Sequence, residues 1–214
     1  AFAIKGLYYY NSKKETPGNL LLIKELANRL VQMYRHEMDE KWQWFESYLT
    51  YANSILPEAL LCAWMATGEK TYRDIAGISF DFLLSKTFNR EGIKVISNDG
   101  WLHKNNHVVR IHNGGEQPID VAYTILALHK FYTVFKEDHY LKKLKLAFNW
   151  FLGNNHLHQV IYNPCTGGCY DGLEENCVNL NQGAESTVSY LMARLTTEKI
   201  LNNRHKEKSV FFTQ

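Results

Sequence analysis

Carboxylates placed where helices begin, beside amides and aromatic rings, are the residues of this chain best suited to chemistry. Glu46, Asp120 and Glu185 fall at or next to long polar stretches, and Asp171 is a fourth candidate inside the last of them. Cleaving a glycosidic bond needs two facing carboxyl groups, one protonated and one ionised. Acids at the starts of neighbouring helices can meet that need, so Glu46, Asp120 and Glu185 are the candidate catalytic groups. The competing reading is that each acid only stabilises a helix start, worth about 0.3–1 kcal/mol. The run from Asp171 to Tyr190 shows both readings at once. Asn181, Gln182 and Gly183 supply turn chemistry, and Glu185 falls in the first turn of the helix that follows. Val188, Leu191, Met192 and Leu195 recur behind it at helical spacing and predict its apolar face.

Groups that suit sugar binding lie in the same polar stretches. Sugar rings present apolar C–H faces to aromatic rings and hydroxyls to amides and acids. Trp42, Trp44, Tyr48, Trp101 and Tyr170 are the available rings, with Trp42, Trp44 and Tyr170 the strongest stacking candidates. Gln117, Asn179, Asn181 and Gln182 are the matching amides, and Asp171 is an accompanying acceptor. Trp44 and Phe45 also fit as core side chains where a loop meets a helix.

Other chemistries find little support. Cys165, Cys169 and Cys177 lie near His156 and His158 but lack a CxxC pair, and His103, His107 and His112 read as polar-loop histidines. No metal and no cofactor is therefore expected. Cys62 reads as a small core residue, and free thiols are expected throughout. There is no serine nucleophile elbow, P-loop or GxGxxG, so nucleotide-sugar binding of the Rossmann type has no motif here. A formal net charge of +2 gives no footprint for nucleic acid. No apolar run approaches the roughly 18 residues of a membrane span. The sequence opens Ala1-Phe2-Ala3-Ile4, without Met or a signal-peptide pattern, which suggests a cytoplasmic protein and a fragment or processed chain.

The elements that must position these groups are helices. At 214 residues the length suits one domain, 1–214, with 1–17 an irregular lead-in and 204–214 a tail. Helices are predicted over 19–37, 53–68, 70–88, 118–135, 138–152 and from 184 to about 203. Pro118 marks the start of one, and Gly68 the end of another. Short strands are possible in the long loops, at Val95-Ile96 and Val108-Val109. A repeat runs through this pattern. Tyr72 and Tyr140 are 68 residues apart, and Phe80, Phe82 and Leu83 precede Phe148, Trp150 and Phe151 by the same interval. The third copy would begin near Ser186. The expected fold is all-α, an open or partial α/α-toroid-like array of helical hairpins, with short turns on one rim and long loops on the other.

Several motifs also carry a resemblance. They are Trp44-Phe45-Glu46, Leu56-Pro57-Glu58-Ala59-Leu60, Gln117-Pro118-Ile119-Asp120, Trp150-Phe151-Leu152-Gly153-Asn154, and Thr166-Gly167-Gly168-Cys169 continuing to Asn181-Gln182-Gly183-Ala184-Glu185. Together they resemble the helical C-terminal region of bacterial and archaeal group 1 glycosyltransferases, mannosyltransferases among them, over about residues 25 to 196. That resemblance implies an α/α-toroid of the six-hairpin glycosidase type and carbohydrate as the partner. It also implies a possible preceding glycosyltransferase domain or a homodimer. The leading expectation is a glycosyltransferase-associated domain that binds a glycan in a loop-rim cleft. The alternatives are a glycoside hydrolase-like enzyme and a structural or dimerisation module.

Overall fold

The computed structural model describes residues 1–14, 16–105 and 114–211, with side chains through 202. Val108, Val109, His107 and His112 lie outside the described residues. The chain is all-α apart from strands of two residues each, and it divides into two compact units. Residues Ala1–Thr87 with Gly100–Ile111 form the first, and Phe88–Asp99 with His112–Gln214 form the second.

In the first unit α1 (Phe2–Asn11), α2 (Pro17–Glu37) and α4 (Lys70–Thr87) pack against α3 (Ile55–Thr67). The α1 helix replaces the expected irregular lead-in. It is held by burial of Ile4 and by an ion pair of 2.6 Å between Lys5 and the buried Glu58 of α3, a tertiary tie that local propensity does not reveal. Thr16 caps α2, its hydroxyl accepting from the Asn19 N–H, and Pro17 fills the first turn, where its missing N–H costs nothing. β1 (Tyr48–Leu49) pairs antiparallel with β2 (Leu102–His103), Tyr48 opposite His103.

Trp42 and Trp44, read from the sequence as stacking faces, are core side chains at 5% and 0% exposure. Both rings meet Phe82 of α4, and the Trp42 indole donates to the Glu46 carbonyl at 2.7 Å. A non-helical segment of this length can turn its large rings inward, and burying them outweighs leaving them for a ligand. Neither ring offers an open face. Trp101, by contrast, is exposed and stacks on Tyr48 at 5.5 Å.

In the second unit α6 (Asp138–Phe151) and α7 (Ala184–Phe211) both pack on α5 (Pro118–Phe135). β3 (Gly172–Leu173) pairs antiparallel with β4 (Val178–Asn179), and a bridge between Glu116 and Leu173 extends the ladder toward the start of α5. Val95-Ile96, expected as a strand, is not one. The nearby pairing is an isolated bridge from Ile93 to Phe88.

The 68-residue repeat is structural. Gly68 ends α3 in the left-handed conformation at φ 73°, and Lys136, at the equivalent place, ends α5 at φ 59°. Each closes its helix with a backbone N–H bond, to Trp64 and Tyr132 respectively. Tyr72 and Tyr140 are both buried, as are Leu83 and Phe151.

α7 begins where expected but turns the other way. Val188, Leu191 and Leu195 are 52%, 50% and 55% exposed, while Ser186, Ser189, Tyr190, Ala193, Thr197 and Ile200 are buried. Two faces of this helix have helical spacing. The one with small residues faces inward, because it lets α7 approach α5 closely. Its hydroxyls are satisfied locally, as where Thr197 donates to the Ala193 carbonyl at 2.8 Å. Tyr190 completes that face, stacking on Tyr162 at 4.3 Å.

This reversal predicts opposite sensitivities. Leu191→Ser and Leu195→Ser should each alter unfolding free energy by less than about 0.5 kcal/mol. Ala193→Leu should cost about 1–3 kcal/mol through overpacking. Urea denaturation followed by circular dichroism checks both.

Candidate functional site

The second unit holds a cleft of about 350 Å³ where its loops meet the starts of α5 and α7. Gln117 is the N-cap of α5, and Glu185 and Ser186 lie in the first turn of α7. β3 contributes Gly172 with its neighbours Asp171 and Glu174, β4 contributes Asn179, and Asn98 comes from the segment before α5.

The local folding that makes this cleft is a set of close backbone approaches. Glu116 and Leu173 exchange both backbone hydrogen bonds, at 3.0 and 2.9 Å, and Asn98 donates to the Gly115 carbonyl at 3.0 Å. A side chain at Gly172 would come within 2.6 Å of the Glu116 carbonyl, and one at Gly115 within 2.5 Å of the Asn98 side chain. Both positions need glycine because another strand or side chain occupies that space. Asp171 ties the two ends of its loop together. Its N–H reaches the Asn179 and Asn181 carbonyls, and its carboxylate accepts from the Gly183 N–H at 2.8 Å, just ahead of α7.

Glu116, absent from the sequence candidates, is the most deeply placed acid of the lining at 2% exposure. Its Oε2 accepts from the Trp150 indole at 3.0 Å, and its Oε1 lies 3.1 Å from His156 Nδ1. Burial pushes its carboxyl above the usual range, partly countered by the Trp150 hydrogen bond and by the charges of His156 and Lys94. The available signal was Gly114-Gly115 directly before Glu116, two glycines at positive φ that bring the acid against other backbone. Asn98, Glu174 and Ser186 were also missed. Asn98 and Glu174 sit in irregular chain with no periodicity to mark them.

Among the sequence candidates, the lining brings together Gln117, Asp171, Asn179 and Glu185. Asp120, in the first turn of α5, is outside the lining and 6% exposed, its carbonyl accepting from Thr124. Tyr170, Asn181 and Gln182 are outside the lining. The Tyr170 hydroxyl accepts from Asn163 at 3.1 Å, and Gln182 accepts from the Thr166 hydroxyl at 2.6 Å. Glu46 belongs to the first unit, where burial raises its carboxyl.

Among the described residues no group of three or more His, Cys, Asp or Glu is arranged to hold a metal ion, and no helix is long and apolar enough to cross a membrane. The four cysteines are free thiols. Cys169 is buried next to Asp171, and burial, followed by that acid's charge, pushes its thiol up to about 12.

No protein-family model matches the chain, and no curated protein matches it. Among solved structures it is similar to the GH76A alpha-1,6-mannanase from Salegentibacter sp. HEL1_6, with a TM-score of 0.53 at 11% identity. The match covers 82% of this chain and 53% of that one, so the chain spans about half the length of the mannanase. At this identity the likeness shows the fold: an α/α-toroid-like array of helical hairpins.

The cysteine environments give a direct check on the loop around the cleft. A thiol reagent at pH 8 should modify Cys165 and Cys177, which are exposed, at least about tenfold faster than the buried Cys62 and Cys169. In denaturant all four should react alike. Mass mapping of the labelled peptides reads the order.

Proposed function

We propose that this chain is a carbohydrate-active helical domain that holds a neutral glycan in the cleft between the starts of α5 and α7. The observation that carries this reading is the chemistry of the lining. Glu116, Asp171, Glu174 and Glu185 supply carboxyl oxygens, Asn98, Gln117 and Asn179 supply amides, and among the described lining residues there is no Lys, Arg or His. Such a surface accepts hydrogen bonds from hydroxyls and repels anions. A neutral polyol suits it, whereas the diphosphate of a nucleotide sugar does not. A volume of about 350 Å³ lies in the range of small-ligand sites. On this reading Gln117, Asp171, Asn179 and Glu185 make the principal contacts, and Tyr170, Asn181 and Gln182 support the loop from outside the lining. Association with a glycosyltransferase rests on the sequence resemblance alone, and nothing in the cleft calls for a nucleotide-sugar donor.

One observation favours a second reading, glycoside hydrolase-like catalysis. Glu116 is a carboxyl raised by burial that shares the cleft with Asp171 and Glu185. Environments that separate the protonation states of neighbouring acids are the usual basis for dividing acid and base roles. Here Glu185, already a candidate from the sequence, is the accessible carboxylate.

Isothermal titration separates these readings. Neutral manno- and gluco-oligosaccharides should bind, while uronate oligosaccharides and nucleoside-diphosphate sugars should not. Gln117→Ala and Asn179→Ala should each weaken binding by about 0.5–1.5 kcal/mol, roughly twofold to twelvefold. A preference for the charged ligands, or no binding by any neutral glycan, would count against the proposal. Release of reducing ends that Glu185→Gln abolishes would favour the hydrolase reading.

A further inference from the structure

His156 follows α6 with both ring nitrogens engaged. Nε2 lies 3.0 Å from the Glu174 carbonyl oxygen, and Nδ1 lies 3.1 Å from Glu116 Oε1. A backbone carbonyl can only accept, so Nε2 carries a hydrogen. The other Glu116 oxygen already accepts from Trp150. The contact between Nδ1 and Oε1 must therefore hold one proton. It is either an imidazolium against a carboxylate or a neutral imidazole against a carboxylic acid, and both forms keep the same hydrogen bonds.

We infer that Glu116 and His156 share this single proton and that it latches the turn from Glu174 to Cys177, whose first residue lines the cleft, in place. The turn's own closure is a single backbone bond, Glu174 N–H to the Cys177 carbonyl at 2.8 Å. Besides the Glu116–Leu173 backbone pairing just before it and the close approach of Gly114 to Glu174 and Glu175, the turn has a side-chain link to the body of the unit, from the Glu174 carbonyl through the His156 ring to Glu116. His156 and Glu116 are thus positioning residues. The significance of the latch for ligand binding rests on the glycan-cleft reading, but its existence does not.

The latch opens in one direction. Removing the shared proton leaves two lone pairs facing each other at 3.1 Å. Adding a second proton leaves an imidazolium N–H donating to a carboxylic acid, so the bond survives. The charged and titratable neighbours act as follows. Lys94, in the segment before α5, attracts the Glu116 carboxylate. Asp171 beside β3 and Glu185 at the start of α7 are the other acids of the cleft lining that face this end of the unit. Trp150 of α6 is neutral, and the Glu174 carboxyl is exposed at the turn itself. Burial raises the Glu116 carboxyl, which favours keeping the proton. The stability that the latch contributes is lost as pH rises and the shared proton leaves.

The test is proton-detected nitrogen NMR of the histidine rings in the full chain without ligand, combined with amide exchange. His156 is assigned by its disappearance in His156→Gln. The expected result is Nε2 protonated throughout and a single deprotonation step at Nδ1 as pH is raised. With that step, amide protection at Glu174–Cys177 should fall about tenfold per pH unit, as expected for loss of one proton. Glu116→Gln should keep the turn closed at all pH and abolish the step, because its amide can donate to Nδ1 while its carbonyl accepts from Trp150. An unprotonated Nε2, a wild-type turn whose protection does not change with pH, or a step that persists in Glu116→Gln would each overturn the latch. The ring and exchange measurements on the wild type decide it even if the variant fails to fold. Since no sugar is present, a failed latch and a failed glycan site are separate results.

Discussion

A carboxyl group withdrawn almost completely from water must have its oxygens paired, and the second unit is arranged around meeting that requirement for Glu116. Trp150 of α6 occupies one oxygen and His156 the other, and the backbone of the same residue extends the β3–β4 ladder through Leu173. One residue thereby joins α6, the loop that follows it, the small sheet and the approach to α5. Losing either partner would leave a buried acceptor unpaired, at a cost of about 1–3 kcal/mol. The cleft lies directly against this junction, so its walls inherit the rigidity of the pairing.

The helical hairpin is the repeating unit, and its turn shows how loosely a repeat can be written. Gly68 and Lys136 take the same left-handed conformation at equivalent places, although glycine adopts it freely and lysine pays a modest strain. What persists between the two copies is the buried tyrosine after the turn and a buried apolar side chain about three turns further on, Leu83 and Phe151. Those positions carry the packing between the two helices, and packing supplies most of the stability of a helix in a folded chain.

Much of this was legible in the sequence. The α5 boundaries follow from a proline at the first position, and the start of α7 follows from its polar turn. Other features needed the three-dimensional neighbours. α1 has no side-chain cap and is held by Glu58, more than 50 residues away. The outward face of α7 has the stronger apolar pattern, yet the smaller residues face inward because closeness to α5 matters more than hydrophobicity alone. Trp42 and Trp44 sit in irregular chain, where nothing in the spacing separates a ring turned inward from one held out for a ligand. Among site residues, Gln117 and Glu185 could be found from their helix starts. Glu116 could not be singled out by type, because its role depends on Trp150 and His156, which arrive from another helix and its loop.

The crowding around Gly115 and Gly172 also constrains how such a cleft can diverge. Gly172 is closed to any side chain by the Glu116 carbonyl, 2.6 Å from where a Cβ would stand, and Gly115 is held to glycine by its positive φ of 63°. The floor therefore admits almost no variation, and descendants of this sequence that take up new ligands must change the rim. Asn98, Glu174 and Glu185 are exposed enough to be exchanged without disturbing the ladder beneath. Selectivity would then drift at the mouth while the base stayed fixed, a division of labour imposed by steric exclusion.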